Sequence, residues 1–561
     1  MTTRWRSVFP LVTAWSVVTV VTCLLAWPLP LSLTTSRPQT AFLDSYVWCL
    51  DTMARMVTGE LPWSTSTSLL GFPATLDVRF VAWADMLVVL PLRGSLGPVG
   101  ATNVAWLLSP GWAALAAFGF YRRLTRSGGW EAAAGAVAYA LSPVALGCLA
   151  SGQLSKLQHW TLPAWGWALM AVLEARRLGG ELATLAAVTA IVGFTSPVHA
   201  MFLPVIGGII GIVHVRGGGS GRTPGRLVLG VGVAALIAGA ALTPARAYFG
   251  DIREASSQKA FSPANVQANQ VFGPPSNVAQ PTAYFAGEPS HAPTVPSPKH
   301  VPYMGVFGVC AVAALGVRRR PGRAVALGLV VAGSLLSFGP RLAEADNYLL
   351  LGDAPVWLPA QLLVLAHYPL SDSGMYYRCM FVAALGFGAM VAGSARLAPG
   401  RGGVVLSWML GMLWAADGIR VTRDLWPRTL VPIQGRTVLD AMSSDPTPGA
   451  VLDLPIAHTP YQAGLAMLNA AFHRRAILAT PRHGDPESLP QLSRAESVLT
   501  GVLAAEDRAS AHQIASEAGF RYVTAWRGGL SPPGVPIEQL ERALGRPERE
   551  GDLLVWTVDR P

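Results

Sequence analysis

Apolar runs of bilayer-crossing length, separated by short loops rich in arginine, constrain this chain more than any other feature. A crossing helix needs about 20 mainly apolar residues, and the run from Val8 to Leu33 already exceeds that. It is longer than the apolar stretch of about 7–15 residues in a secretion signal, and no small-x-small cleavage pattern closes it, so it reads as a retained first span. Composition agrees. Hydrophobic residues make up 51% of the chain and charged residues 13%, where soluble domains carry about 25% charge. Mean hydropathy is +0.40. The expected fold class is mainly α: a polytopic helical membrane protein with juxtamembrane helices and a small C-terminal α/β domain.

The net charge of +10 comes almost wholly from arginine. Arg122, Arg123 and Arg126, then Arg176 and Arg177, Arg216, Arg222 and Arg226, the run Arg318–Arg323, and Arg396 with Arg401 all sit in short loops between apolar runs. Positive loops stay cytoplasmic, so the basic balance argues for topology and not for nucleic acid. Placing all of them inside, with Arg4 and Arg6, requires that Val81–Gly100 does not cross. That piece carries Asp85 and Arg93 and breaks at Pro91 and Gly94, and it reads as re-entrant or juxtamembrane. The result is about eleven spans, with the N-terminus cytoplasmic and the C-terminus outside. The implied location is the cell inner (plasma) membrane.

Residues 1–418 then form the membrane domain, with three outside stretches: a first loop over 34–80, a long loop over 246–300 and a segment over 341–375. The long loop is rich in Pro, Ser, Asn and Ala and too long for a passive connector. Residues 419–561 change character. GAVLDLPI (Gly449–Ile456), FRYVTAWRG (Phe520–Gly528) and DLLVWTVD (Asp552–Asp559) have the length and β-branched content of strands. Ala495–Gly519 reads as one or two helices and PIEQLERALG as another, giving an extracytoplasmic α/β domain. The five cysteines form no CxxC and suggest neither a metal knuckle nor a disulfide framework.

The first outer loop holds FLDSYVWCLDTMARMVTGELP, Phe42–Pro62. On a helix, Tyr46, Leu50, Met53 and Val57 make an apolar stripe and Asp44, Trp48, Asp51 and Arg55 line the opposite face. The expectation is a helix lying on the membrane surface, apolar side in lipid, with Asp44 able to cap its start. A carboxylate held there can take a proton from a hydroxyl nucleophile, and two could hold a divalent cation. Equally, Asp44 only caps and Asp51 pairs with Arg55 four residues on; spacing alone leans to this second reading.

Three further outer clusters stand out. GQLSKLQHW (Gly152–Trp160) offers Lys156 and His159, which could neutralise a phosphate or relay a proton, or serve as ordinary membrane-edge anchors. In MYYRCMF (Met375–Phe381), Arg378 starts an apolar span on the outer side against the charge rule, and a partly desolvated guanidinium suits a phosphate or diphosphate. Asp77, Arg79 and Asp85 read as a local ion pair. His199, His367 and His458 stand alone. No GxxxxGK[ST], strand-to-helix GxGxxG, HExxH or GxSxG occurs, so ATP-driven transport, nucleotide-cofactor redox chemistry and zinc hydrolysis lose support.

An acid soon after the first span, in a helix of the first outer loop, resembles the GT-C superfamily of membrane glycosyltransferases, in particular its large bacterial members that depend on polyprenyl-phosphate sugars. Phe42–Asp77 is similar to their first loop and Gly135–Trp165 to their second, while SFGP (Ser337–Pro340), YYRCMF (Tyr376–Phe381) and VLDLPI (Val451–Ile456) echo recurring pieces in the same order. The resemblance implies a sugar donor on a polyprenyl phosphate, an acceptor glycan, lipid or protein on the outer side, and Asp44 as general base. Two departures matter. Gln153 stands where related second loops often carry His or an acid, and no Asp or Glu occurs between Ser142 and Leu173. A metal held by two loops is therefore not expected, and no cofactor is implied, a divalent cation being the unfavoured alternative.

The leading expectation is an inverting transferase with Asp44 as base, Arg378 and Lys156 balancing the leaving phosphate, and Asp51, Arg55, Gln153 and His159 contacting substrate. A flippase for a lipid-linked saccharide would carry repeats and mid-membrane charges, and none is evident. A non-catalytic scaffold presenting residues 419–561 to a partner is the third reading.

Overall fold

The structure, a computed structural model, describes residues 3–40, 42–62, 66–70, 76–77, 83–175, 178–216, 224–237, 303–316, 322–344, 347–352, 354–365, 376–398, 400–426, 428–456, 460–478, 490–526 and 537–559. The long loop expected over 246–300 lies outside these residues, as do Arg79, His367, His458 and residues 366–375 of the outer segment.

The elements that matter here run α1 (Thr3–Leu25), β1 (Ser36–Pro38), α2 (Leu43–Val57), α3 (Arg93–Thr125), α4 (Gly129–Ala140), α5 (Pro143–Ala150), α6 (Thr161–Glu174), α7 (Leu203–Arg216), α8 (Arg323–Ser337), α9 (Met380–Ser394), α10 (Arg401–Thr422), β2 (Leu430–Pro432), β3 (Ala450–Leu454), α11 (Pro460–His473), α12 (Pro490–Ala504), α13 (Arg508–Glu517), β4 (Phe520–Trp526), α14 (Ile537–Leu544), β5 (Glu548–Glu550) and β6 (Leu553–Thr557). The chain is mainly helical with one small C-terminal sheet. It divides into two compact units, Met1–Pro30 with Ala105–Arg428, and Leu31–Val104 with Thr429–Pro561.

In the first unit α9 is buried along almost its whole length and packs on both α4 and α8. Glycines permit this closeness. A Cβ on Gly386 would lie 2.5 Å from the Ala326 carbonyl oxygen and 2.7 Å from the Val330 nitrogen, and one on Gly333 would lie 2.8 Å from the Cys379 carbonyl. Small residues let helices approach backbone to backbone where lipid offers no hydrophobic drive. Opposite surfaces stay apolar and uncovered: Val405, Met409, Met412 and Leu413 on α10, and Phe9, Val12, Val20 and Leu24 on α1, are all exposed. Among the described residues five helices are long and apolar enough to cross a membrane, and the α4–α5 pair, bent by 47°, passes the same test as one broken span. The 42-residue stretch Ala84–Thr125 counts as one of the five, and it is interrupted at Gly97, whose φ of 69° breaks the helical path.

In the second unit, β3 runs parallel to β4, β6 antiparallel to β4, and β5 antiparallel to β6, in the order β5–β6–β4–β3. Ala450, Leu452, Leu454, Val523, Ala525, Leu554 and Trp556 put one face into a core closed by α12, α13 and α14. The Ala495–Gly519 stretch divides into two helices because Asp507 caps α13, accepting the Ser510 N–H at 2.7 Å. β1 pairs antiparallel with β2, with Arg37 opposite Val431.

α2 forms where its periodicity places it, yet it is not a surface helix. Tyr46, Leu50 and Met53 are buried, and so are Asp44, Trp48 and Asp51 on the other face; only Val57 is exposed. The helix packs against α11 of the same unit. A period of 3.6 identifies which residues share a face and says nothing of what covers it, so the expected lipid-facing stripe is a protein-facing one.

Candidate functional site

Two clusters, one in each unit, contain the candidate residues. In the second unit, Asp44 sits in the first turn of α2. It does not cap the helix, since Phe42 holds the N-cap position and the Thr40 hydroxyl accepts the Leu43 N–H at 3.2 Å. Its carboxylate instead meets the Arg37 guanidinium at 2.6 Å, with 2% and 3% of the two side chains exposed. Burial pushes the Asp44 carboxyl above its ordinary range, and the charge and hydrogen bond of Arg37 oppose that shift.

Asp51 is likewise buried, and its partner is not Arg55 but Arg93, which reaches it with both Nε and Nη2 from the start of α3. Arg55 turns to Glu60 at 3.4 Å, and Arg474 approaches the same carboxylate at 3.7 Å. The i,i+4 pairing expected within α2 is thus replaced by pairs reaching out of the helix. An exposed i,i+4 pair contributes only about 0.3–0.5 kcal/mol, little enough for tertiary partners to override.

In the first unit, the second-loop cluster is built by a tight turn at Gly152, whose φ of 71° suits glycine. Gln153 is buried ahead of the short helix Leu154–Leu157, and Lys156 is partly exposed. Gln158 and His159 are fully buried. The His159 Nδ1 lies 3.0 Å from the Leu157 carbonyl, and Tyr139 donates its hydroxyl to the His159 carbonyl at 2.8 Å. Burial drives the His159 pKa down to about 3, so the ring is neutral at physiological pH. It can accept or donate a hydrogen bond there but supplies no charge to a phosphate.

The same cluster contains the YYRCMF stretch. His159 stacks on Phe381 with ring centroids 5.3 Å apart, and His199 meets Phe381 edge-on at 5.5 Å. Arg378 is 4% exposed; its Nε donates to the Tyr377 hydroxyl at 3.1 Å. Gln158 amide atoms, Gln153 Oε1 and the Nε2 atoms of His159 and His199 are sealed from solvent and find no hydrogen-bond partner among the described residues, unusual for buried polar groups. Among the described residues no group of three or more His, Cys, Asp or Glu is placed to hold a metal ion.

The structure therefore brings Gln153, Lys156, His159 and Arg378 into one unit and Asp44, Asp51 and Arg55 into the other. Arg37 and Gln158 were not singled out from sequence, while Arg93 was read only as a charge in a non-crossing piece and His199 as standing alone, whereas Arg93 holds Asp51 and His199 packs on Phe381. Arg37 carried a usable signal, for in the expected topology it follows the first span on the outer side and breaks the charge rule as Arg378 does.

No protein-family signature matches the chain, nor does the sequence of any curated protein. Solved structures do match. The oligosaccharyltransferase AglB from Archaeoglobus fulgidus, solved with an inhibitory peptide and a dolichol-phosphate, aligns over 93% of this chain and 69% of its own with a TM-score of 0.54 at 10% identity. The arabinofuranosyltransferase AftD from Mycobacteria aligns over 100% of this chain and 42% of its own, with a TM-score of 0.55 at 15% identity. The chain has a GT-C fold. At these identities the likeness concerns architecture, and it agrees with the resemblance carried by the short motifs.

Proposed function

We propose that the protein is an integral membrane glycosyltransferase that moves a sugar from a polyprenyl-phosphate donor to an extracytoplasmic acceptor with inversion at the anomeric carbon. Asp44 takes the proton from the acceptor hydroxyl as that oxygen bonds to the anomeric carbon. The bond from that carbon to the phosphate oxygen breaks, and the lipid phosphate leaves with the electron pair. Arg378 and Lys156 offset the charge that develops on the phosphate. Gln153 and His159, as neutral groups, bind sugar hydroxyls, and Asp51 and Arg55 support the helix that carries the base. The membrane domain over 1–418 then holds the donor, and residues 419–561 lie on the acceptor side of a cell envelope membrane. No metal is assigned a role.

The observation that carries the reading is a carboxylate, Asp44, withdrawn from water in the first turn of the first-loop helix of a chain with a GT-C fold. Membranes containing the full chain, given radiolabelled sugars on polyprenyl phosphate, should transfer label to endogenous acceptors, and Asp44→Asn should not. Transfer at the parental rate by Asp44→Asn would remove Asp44 from the chemistry. Movement of labelled donor across vesicles with the phosphate ester intact would replace the transferase by a flippase.

A further inference from the structure

A carboxylate this deeply buried would ordinarily hold its proton, and a protonated acid cannot act as a base. Neither Asp44 oxygen takes a hydrogen bond from another group among the described residues. What faces it is the Arg37 guanidinium, itself sealed from solvent. Arg37 has little freedom to leave. It is the central residue of β1, opposite Val431 of β2, and the ladder continues on both sides, with Ile433 N–H donating to Thr35 at 2.9 Å and Gln39 N–H to Thr429 at 2.8 Å. The Asn103 amide adds bonds to the Leu33 and Ser36 carbonyls at 2.8 and 2.9 Å.

The other charged groups around α2 are already spoken for. Asp51 is held by Arg93, and Arg55 by Glu60, which Arg474 also approaches. On α11, the helix packed against α2, His473 is buried with its pKa lowered to about 3 and stays neutral. Asp85 of the same unit is buried with a partner of its own. Arg37 alone therefore stands as counter-charge to Asp44 among these groups.

We propose that Arg37 is a positioning residue for the transfer reaction: it holds the Asp44 carboxylate in its ionised form and in one orientation, and the β1–β2 ladder holds Arg37. This rests on Asp44 being the general base, but the claim about the pair can be read without turnover.

The test uses the full chain in membranes, with Arg37→Gln and Arg37→Lys beside the parent. Infrared difference spectra against pH follow the protonated-carboxyl band that disappears in Asp44→Asn, and so titrate Asp44 with no substrate present. Arg37→Gln should move that titration up by at least ~1 pH unit, the scale set by loss of an adjacent opposite charge, and the acid limb of the transfer–pH profile should move with it. Arg37→Lys should restore most of both. An Asp44 titration unchanged in Arg37→Gln, or moved as far in Arg37→Lys, would overturn the proposal. If Arg37→Gln fails to accumulate, the Arg37→Lys titration and the Arg37→Gln/Asp44→Asn double variant decide instead. The neutral pair should fold, since no unpaired charge is left buried, and failure of both it and Arg37→Lys to fold would reduce Arg37 to a packing residue. Loss of the base reading has its own signature, transfer by Asp44→Asn, whatever the infrared titration gives.

Discussion

Asp51 of α2 is held by Arg93, forty-two residues further along the chain, and not by Arg55 one helical turn away. Only 3% of the Asp51 side chain is exposed, against 25% for Arg93. Removing the arginine leaves a carboxylate in a site that water barely reaches. Arg93→Ala should therefore destabilise the second unit by about 3 kcal/mol, the lower end expected for breaking a buried pair. Arg55→Ala should cost well under about 1 kcal/mol, because its Glu60 partner is half exposed. Thermal unfolding of the detergent-solubilised protein separates the two, and equal shifts would contradict the assignment of Arg93 as the structural partner.

Replacing Asp44 by Asn keeps the size of the side chain and removes its capacity to accept a proton. Transfer should fall by about 10²-fold or more, with donor binding retained. Binding of a fluorescent polyprenyl phosphate to the variant, measured beside its turnover, checks that the loss lies in chemistry.

Arg378 is buried beside Tyr377, and the role proposed for it in holding the donor phosphate predicts a different kinetic signature. Arg378→Gln should raise the apparent KM for the polyprenyl-phosphate sugar by roughly tenfold or more, the loss expected for one charge-assisted hydrogen bond. A neutral donor analogue should bind the two forms alike. Equal losses for charged and neutral ligands would make Arg378 a packing residue only.

The Asp453 carboxyl on β3 accepts the Thr524 hydroxyl at 2.7 Å, while its Oδ2 is sealed from solvent. Burial raises its pKa to about 7. In the unfolded chain this group ionises near 4; in the folded one it keeps its proton to about 7. Folding is thus favoured most below the unfolded value, and this contribution is lost as pH rises from there to about 7. Asp453→Asn should flatten the stability profile in that window and leave the variant more stable than the parent at pH 8 (about one unit above the folded value). Melting temperatures against pH for the two chains test this.

Gly386 offers a packing prediction independent of chemistry. A side chain there meets the Ala326 and Val330 backbone, which cannot rotate away as a side chain can. Gly386→Val should therefore cost about 3 kcal/mol or prevent assembly of the first unit, seen as loss of the folded fraction in detergent.

Much of the architecture was legible from pattern. The strands around Val451, Val523 and Val555 and the helix Leu43–Val57 lie where β-branched runs and helical spacing put them, because both signals are local. What was not legible is partnership across the chain. Asp51 carries an i,i+4 arginine, and nothing in a linear string reveals that Arg93 outcompetes it. The burial of His159, which strips it of charge, depends on Tyr139 and Phe381, each distant in sequence. Arg37 was within reach, since in the expected topology an arginine just after the first span breaks the same rule that drew attention to Arg378.

The pairing of β1 with β2 also dictates an order of events. Arg37 and Asp44 emerge from the ribosome early, yet the strand that fixes Arg37 is translated only after all of the apolar helices from α3 to α10. Until then β1 has an open edge and α2 lacks α11 beneath it. Chains fold in the order they are made wherever contacts are local, and this site is the opposite case. A prematurely terminated chain would insert its helices and still present an unanchored acid, so the pair comes into being only in a protein whose synthesis has passed β2.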